Sequence, residues 1–145
     1  MKKYILPLAL LVTGLGFGFW FGHGSATKAA AAAAENRVFE MRTYYTNEGK
    51  LPDLQARFRN HTTKIFEKHG MTNIGYWVPQ DSPAKESTLI YIISHKDREA
   101  AKKSWDAFRK DPQWQEVAKA SEVNGKIVSK VESVFMDPTD YSLIK

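Results

Sequence analysis

The groups of this chain able to do chemistry are four histidines, a charged strand and a set of tyrosines and tryptophans, and His61 comes first among them. It lies in an apolar-periodic run from about Leu51 to His69 that reads as one helix, with Pro52 in the first turn and Gly70 as the stop. At 100° per residue, Leu54, Phe58 and Ile65 share one sector with Leu51 and Thr62 beside them, and His61 falls about 60° from its centre. That places its imidazole at the space between helix and sheet, where it could orient a ligand or move a proton near neutral pH. The plain alternative is a hydrogen-bonded helix histidine closing the edge of the core. His69 sits in the last turn, where a donor satisfies free carbonyls. His61 and His69 are eight residues apart, about 12 Å along a helix, and cannot share one metal ion whose ligands each lie near ~2 Å. His95 follows a strand and precedes Lys96-Asp97, which suits a loop or cap role. No metal site and no cofactor is expected.

The strand Val38 to Tyr45 carries the second set. Phe39 and Met41 share one face, and Glu40, Arg42 and Tyr44 share the other, which is expected to point away from the helices. Lys130 and Glu132, on the strand that should lie alongside, predict cross-strand charge pairs. Covered by another surface, such charges need one another or a polar ligand. Tyr44, Tyr76, Trp77 and Tyr91 would line a cavity for a flat apolar molecule, or simply pack as core. The candidate ligand-binding set is therefore His61, Arg42, Tyr44, Glu40, Trp77 and Tyr91, with His61, Arg42 and Tyr44 as candidate catalytic groups. There is no Gly-x-Ser-x-Gly elbow, no phosphate-binding glycine loop and no His-Glu-x-x-His pair. Asn60-His61-Thr62 has the form of a glycosylation acceptor and is taken as chance.

Positioning these residues falls to an ordered set of elements. After the first strand and helix come two strand signals, Thr72 to Val78 and Thr88 to Ser94, separated by the turn-rich Pro79-Gln80-Asp81-Ser82-Pro83. Leu89, Ile90, Tyr91, Ile92 and Ile93 form an apolar run expected to be buried on both faces. Asp97 caps a second helix whose inner face holds Ala100, Ala101, Trp105 and Phe108. Asp111 and Pro112 restart a short helix to about Ala120, carrying Trp114 and Val117, and a last strand runs from Ile127 to Met136. Strand, helix, strand, strand, helix, strand fits an α+β, ferredoxin-like βαββαβ fold, a four-stranded antiparallel sheet with both helices on one face. The bare face then needs a cover, and a second copy supplies the simplest one.

The first 36 residues stand apart. Lys2 and Lys3 precede an apolar run from Ile5 to Phe21, and Gly24-Ser25-Ala26 offers a small-residue cleavage pattern, so residues 1–26 read as a signal peptide or an N-terminal membrane anchor. As an anchor the run would span about 26 Å against roughly 30 Å of hydrocarbon. Either reading puts the domain outside, in the periplasm or on the outer face of the cytoplasmic membrane, with membrane attachment through this segment in the second case. Residues 27–36 are an Ala-rich linker, residues 37–138 the domain and residues 139–145 a C-terminal tail. With no cysteine, disulfides, thiolate nucleophiles and cysteine-ligated metals are excluded. Of 21 Lys and Arg residues, loss of Lys2 and Lys3 leaves 19 against 16 acidic ones, a net of +3. Those charges are interspersed rather than gathered in a stripe, which argues against nucleic acid as a partner.

Four separated blocks resemble the NIPSNAP family: Phe39-Glu40-Met41-Arg42-Thr43-Tyr44, Gly49-Lys50-Leu51, Arg59-Asn60-His61 with Phe66-Glu67-Lys68-His69-Gly70-Met71, and Trp105 to Val117. The resemblance covers Val38 to Asp137 and implies a dimeric α+β barrel, the architecture of antibiotic-biosynthesis monooxygenases, haem-degrading monooxygenases and chlorite dismutases. Two functions follow as expectations. One is an exported, non-enzymatic homodimer that binds a small apolar ligand or a partner protein. The other, by analogy with those barrels, is a cofactor-independent monooxygenase or a haem-binding enzyme, with His61 as base or, with His69, as an axial-ligand candidate, and Arg42 or Tyr44 as orienting group.

Overall fold

Stretches rich in β-branched and aromatic residues form β1 (Val38–Thr46), β2 (Thr72–Trp77), β3 (Thr88–His95) and β4 (Val128–Met136). The computed structural model describes residues 37–145, so the expected export segment and Ala-rich linker lie outside the described residues. Among the described residues, no helix is long and apolar enough to cross a membrane. The strands make one antiparallel sheet in the order β2-β3-β1-β4. Thus β3 and β1 are central, as the βαββαβ reading requires.

Helix α1 follows β1 in three contiguous pieces, Leu51–Arg57 (α), Phe58–Thr62 (π) and Thr63–Lys68 (α). In the π turn the Thr63 N–H reaches back five residues to the Phe58 carbonyl. Two threonine hydroxyls also donate to carbonyls there, Thr62 to Arg57 at 3.2 Å and Thr63 to Phe58 at 3.3 Å. A widened turn with side-chain back-bonding is the physical signature of a π-bulge. Gly70, at φ +75°, ends the helix where a side chain would be strained. The loop between β2 and β3 contains a short helix α2 (Ala84–Ser87) that turn residues alone did not predict.

Helix α3 (Arg98–Lys110) starts at Asp97, whose side chain accepts the Ala100 N–H at 2.7 Å. Asp111 ends α3 and caps α4 (Pro112–Ser121), accepting from Gln113 N–H at 2.8 Å, with Pro112 in the first turn. Asp111 also holds the end of α1, through Lys68 Nζ at 2.7 Å and His69 Nε2 at 2.6 Å. These two partners, with the Gln113 N–H, keep its carboxyl well below the usual range against the opposing effect of burial. One buried aspartate therefore fixes both the bend between α3 and α4 and the docking of α1.

All the longer helices lie on one side of the sheet. Beneath them Leu54, Phe58, Ile65 and Phe66 of α1 meet Leu89, Tyr91 and Ile93 of β3 and Trp105 and Phe108 of α3. Ring contacts run continuously through this layer: Phe66 lies 5.0 Å from Phe108, 5.4 Å from Trp105 and 5.9 Å from Tyr91. Edge and tilted contacts of this kind add to simple area burial. Phe66→Ala should therefore destabilise the domain by about 3–5 kcal/mol, read as a lower midpoint in a urea titration. A loss under ~1 kcal/mol would show that the aromatic layer is not the core.

Candidate functional site

Strand alternation puts Glu40, Arg42 and Tyr44 on one face of β1, and the structure turns that face toward the helices, not away from them. This reverses the expectation. Phe39, Met41, Thr43 and Tyr45 lie on the open side, opposite Ser94, Ile92, Ile90 and Thr88 of β3. The reason is a partner on another element: the indole N–H of Trp105, brought over the sheet by α3, needs an acceptor, and Glu40 Oε2 supplies it at 2.7 Å.

Glu40 is 1% exposed and is surrounded by donors. Its Oε2 also faces His95 Nε2 at 3.1 Å, while Oε1 takes Arg42 Nη1 at 2.6 Å and the Ser133 hydroxyl at 2.6 Å. Residues of β1, β3, β4 and α3 thus converge on one carboxylate. Arg42 stacks over the Trp105 ring, 4.3 Å from its centroid, and over Tyr44 at 5.6 Å. Lys130 and Glu132 do not join this network; they pair with each other at 2.6 Å on the open face, where Tyr45 Oη donates to Glu132 at 2.9 Å. His95 is therefore a buried partner of Glu40 rather than a loop or cap residue.

The aromatic candidates divide. Tyr76 stacks on Tyr91 at 5.4 Å and Tyr44 meets Tyr91 at 5.3 Å and Phe58 at 5.8 Å, so these three fill the interior. Trp77 stands on the opposite face, paired with Ile90 and 51% exposed. Its ring lies across Gly75, where an added Cβ would come within 2.5 Å of it. The four do not line one cavity.

His61 is also displaced from its expected place. The π turn ahead of α1's last piece keeps Phe58 and Thr62 inward and leaves His61 exposed on the outer side. There it borders a groove of about 490 Å3 between α1 and α4, with Ala56, Arg57, Asn60, Val117, Ala120 and Val123. It is not brought together with Arg42 and Tyr44, which lie under Trp105 and against Phe58. Arg57, which sequence reasoning passed over, is 6% exposed at the base of this groove. The guanidinium lies 5.4 Å over the Trp114 ring, and Nη1 donates to Ser121 Oγ at 3.2 Å with Glu122 at 3.6 Å. Within electrostatic reach on its inner side are Tyr44 and Tyr91. Four buried side-chain atoms among the described residues, Arg42 Nε, Arg57 Nε, Tyr91 Oη and His95 Nδ1, have no hydrogen-bond partner. Among the described residues, no group of three or more acidic or histidine side chains could hold a metal ion.

The Glu40 network carries a pH signature. Burial alone would raise the carboxyl, but the donors His95, Ser133, Trp105 and Arg42 outweigh it and bring it from 4.5 down to about 2. Since the folded value is the lower one, the stabilisation is complete above about pH 4.5 and is lost as pH falls toward about 2. Glu40→Ala should cost about 3–5 kcal/mol at pH 7, the usual cost of removing one side of a buried ion pair. It should also reduce the fall in stability between pH 4.5 and 2, measured by denaturant titrations across that window. An acid limb unchanged in the variant would contradict the assignment.

Comparison with known proteins gives this geometry its relatives. An uncharacterized NIPSNAP-like domain protein from Burkholderia xenovorans is similar over 74% of this chain and 90% of its own, at 16% identity and a TM-score of 0.64. A NIPSNAP family protein with unknown function from Agrobacterium tumefaciens is similar over 77% of this chain and 96% of its own, at 17% identity and a TM-score of 0.66. A second NIPSNAP family protein from Agrobacterium tumefaciens covers 76% and 100%, at 20% identity and the same TM-score of 0.66. At these identities the likeness shows the fold. Nothing among curated proteins matches. The NIPSNAP family profile matches residues 39–143, from β1 through the C-terminal tail, and the chain belongs to the NIPSNAP family.

Proposed function

We propose that this protein is a non-enzymatic binding protein that works as a symmetric homodimer outside the cytoplasmic membrane, each copy covering the open sheet face of the other. The observation that carries this reading is the apolar end of that face, beyond the end made polar by Thr43, Tyr45, Lys130 and Glu132. Met41 of β1, Ile90 and Ile92 of β3, and Val134 and Met136 of β4 are its register neighbours. Val134 is 50% exposed, and Ile90 and Ile92 are only half-buried although β3 is central. A bulge at Asn73/Gly75 in β2 sets Ile74 near Ile92 as well. A contiguous apolar surface of this kind on a sheet is the mark of an interaction site.

The C-terminal tail supports the same reading. Pro138, Ser142 and Ile144 come back beside Phe39, Ile74 and Ile92, bordering a cleft of about 300 Å3, while Tyr141 and Leu143 remain exposed. The tail thereby extends the apolar surface at one end of the face. A two-fold pairing would place each copy's β3 side chains against their equivalents, an isologous arrangement.

Catalysis by His61 with Arg42 and Tyr44 has no geometric support, because the histidine borders the outer groove and the other two are packed within. Glu40, the strongest charged acceptor inside, is already bound by four donors. A carboxylate so engaged holds elements together and is not free to take a substrate proton. Tyr44, Tyr76 and Tyr91 fill the middle of the helix–sheet interior, which leaves an apolar ligand only the cleft of about 320 Å3 at its edge, bordered by Phe58, Tyr76, Trp77 and Leu89.

Ile92→Lys places a charge at the centre of the open face without touching the helix-side core. It should convert the protein to monomer at micromolar concentration in sedimentation velocity, with the circular dichroism of the folded chain retained. A wild type that sediments as a monomer, or a variant that stays dimeric, would refute the pairing.

A further inference from the structure

We propose that the cleft between the π turn of α1 and the adjoining ends of β2 and β3 binds a flat aromatic monocarboxylate, its ring against Tyr76 and its carboxylate toward Arg59. This names a ligand for the binding role proposed above and rests on that role, not on the pairing of sheet faces. The cleft holds about 320 Å3, and Phe58, Tyr76, Val78 and Leu89 give it apolar walls. Phe58 and Leu89 are buried core residues, so those walls are held by the packing behind them. Tyr76 stacks on Tyr91 with 5.4 Å between centroids and 21° between planes, and Phe58 meets Tyr76 at 5.7 Å. A planar ring entering the cleft extends that stack. A volume of about 320 Å3, near the low end for ligand sites, suits a single ring rather than a larger molecule.

The charge at the rim selects the polar end of the ligand. Gln55, Arg59 and Thr63 follow at four-residue steps along one edge of α1 and line the cleft together. Arg59 is exposed and pairs with no acid among the described residues, so its guanidinium is both reachable and uncommitted. No acidic side chain among the described residues lines this cleft, whereas Asp53 and Glu116 line the groove between α1 and α4. Glu67, within electrostatic reach of Tyr76, is turned to the Asn73 amide at 3.0 Å. One guanidinium at the edge of an apolar floor fits one carboxylate, and the Gln55 amide offers a donor to its second oxygen. A second anionic group would be taken out of water against apolar walls with no partner. Because Arg59 is exposed, its pairing adds a modest preference and the ring supplies most of the affinity.

The competing account is that the cleft is only the gap a π turn leaves at the edge of the sheet, with Arg59 solvated. Titration of the full-length protein with benzoate, benzyl alcohol and cyclohexanecarboxylate separates the two. The readouts are the side-chain Nε–Hε signal of Arg59 and the ring signals of Tyr76 in NMR. Benzoate should shift both saturably. Benzyl alcohol, which keeps the ring without the charge, should bind about two- to fivefold more weakly at low salt. Cyclohexanecarboxylate, which keeps the charge without the flat ring, should bind about two- to tenfold more weakly. In Arg59→Gln, benzoate and benzyl alcohol should bind equally. Gln55→Trp, which fills the cleft from the edge of α1, should bind neither, and both variants should keep the circular dichroism of the wild type. The site is overturned by the absence of a saturable benzoate shift, or by either analogue binding as tightly as benzoate. A preference for benzoate that survives in Arg59→Gln, or unchanged binding in Gln55→Trp, would overturn it as well. Sedimentation velocity on the same samples reads the sheet-face pairing, so either proposal can fail without the other.

Discussion

A carboxylate taken out of water must be met on every side, and in this protein Glu40 is met by four donors from three strands and a helix. Its position fixes much else. The Trp105 bond seats α3 on the sheet, the Ser133 bond binds β4 to β1 on the helix side, and the His95 contact locks the end of β3. Because side chains alternate along a strand, committing Glu40 inward also commits Phe39 and Met41 outward. The apolar open face is thus a consequence of the polar contact on the other side. Breaking the network by removing one member leaves others buried without partners, which is costlier than the net value of the pair.

Helix α1 translates the same logic to the groove. Its π turn sits where the threonine hydroxyls of Thr62 and Thr63 bond carbonyls five residues back. The widened turn keeps Phe58 and Thr62 inward with Arg57 at their edge, and His61 outside. Arg57 then spans two environments, with Tyr44 and Tyr91 on one side and Trp114 and the groove on the other. π-bulges often coincide with functional positions, and here the bulge exposes a histidine beside a buried guanidinium. Asp111 supports this from below, since its bonds to Lys68 and His69 hold α1 against the start of α4.

Periodicity made the element order, the central place of β3 and the Asp97 and Asp111 caps legible from sequence, because each rests on local spacing or turn chemistry. The faces of β1 were not legible in the same way. Phe39 and Met41 are apolar on one side and Tyr44 is aromatic on the other, so either face of β1 could have been the core face. The indole of Trp105 was the available clue, since a buried N–H needs an acceptor and Glu40 is a charged residue on a central strand. His61 was misplaced because 100° per residue assumes an unbroken α-helix; the Thr62-Thr63 pair is a weak sign of the bulge that altered the phase. Arg57 was missed because a basic residue beside an apolar face reads as solvated, whereas Trp114, Ser121 and Glu122 from a distant segment bury it.

The proposed pairing depends on the inward commitment of Glu40, which leaves Met41 and its neighbours on the opposite face of the sheet. Isotope-filtered nuclear Overhauser spectroscopy on a mixture of labelled and unlabelled protein tests this directly. The methyl groups of Met41, Ile90, Ile92 and Val134 should show contacts between copies. Inter-copy contacts confined to the helices, or none at all, would contradict the account.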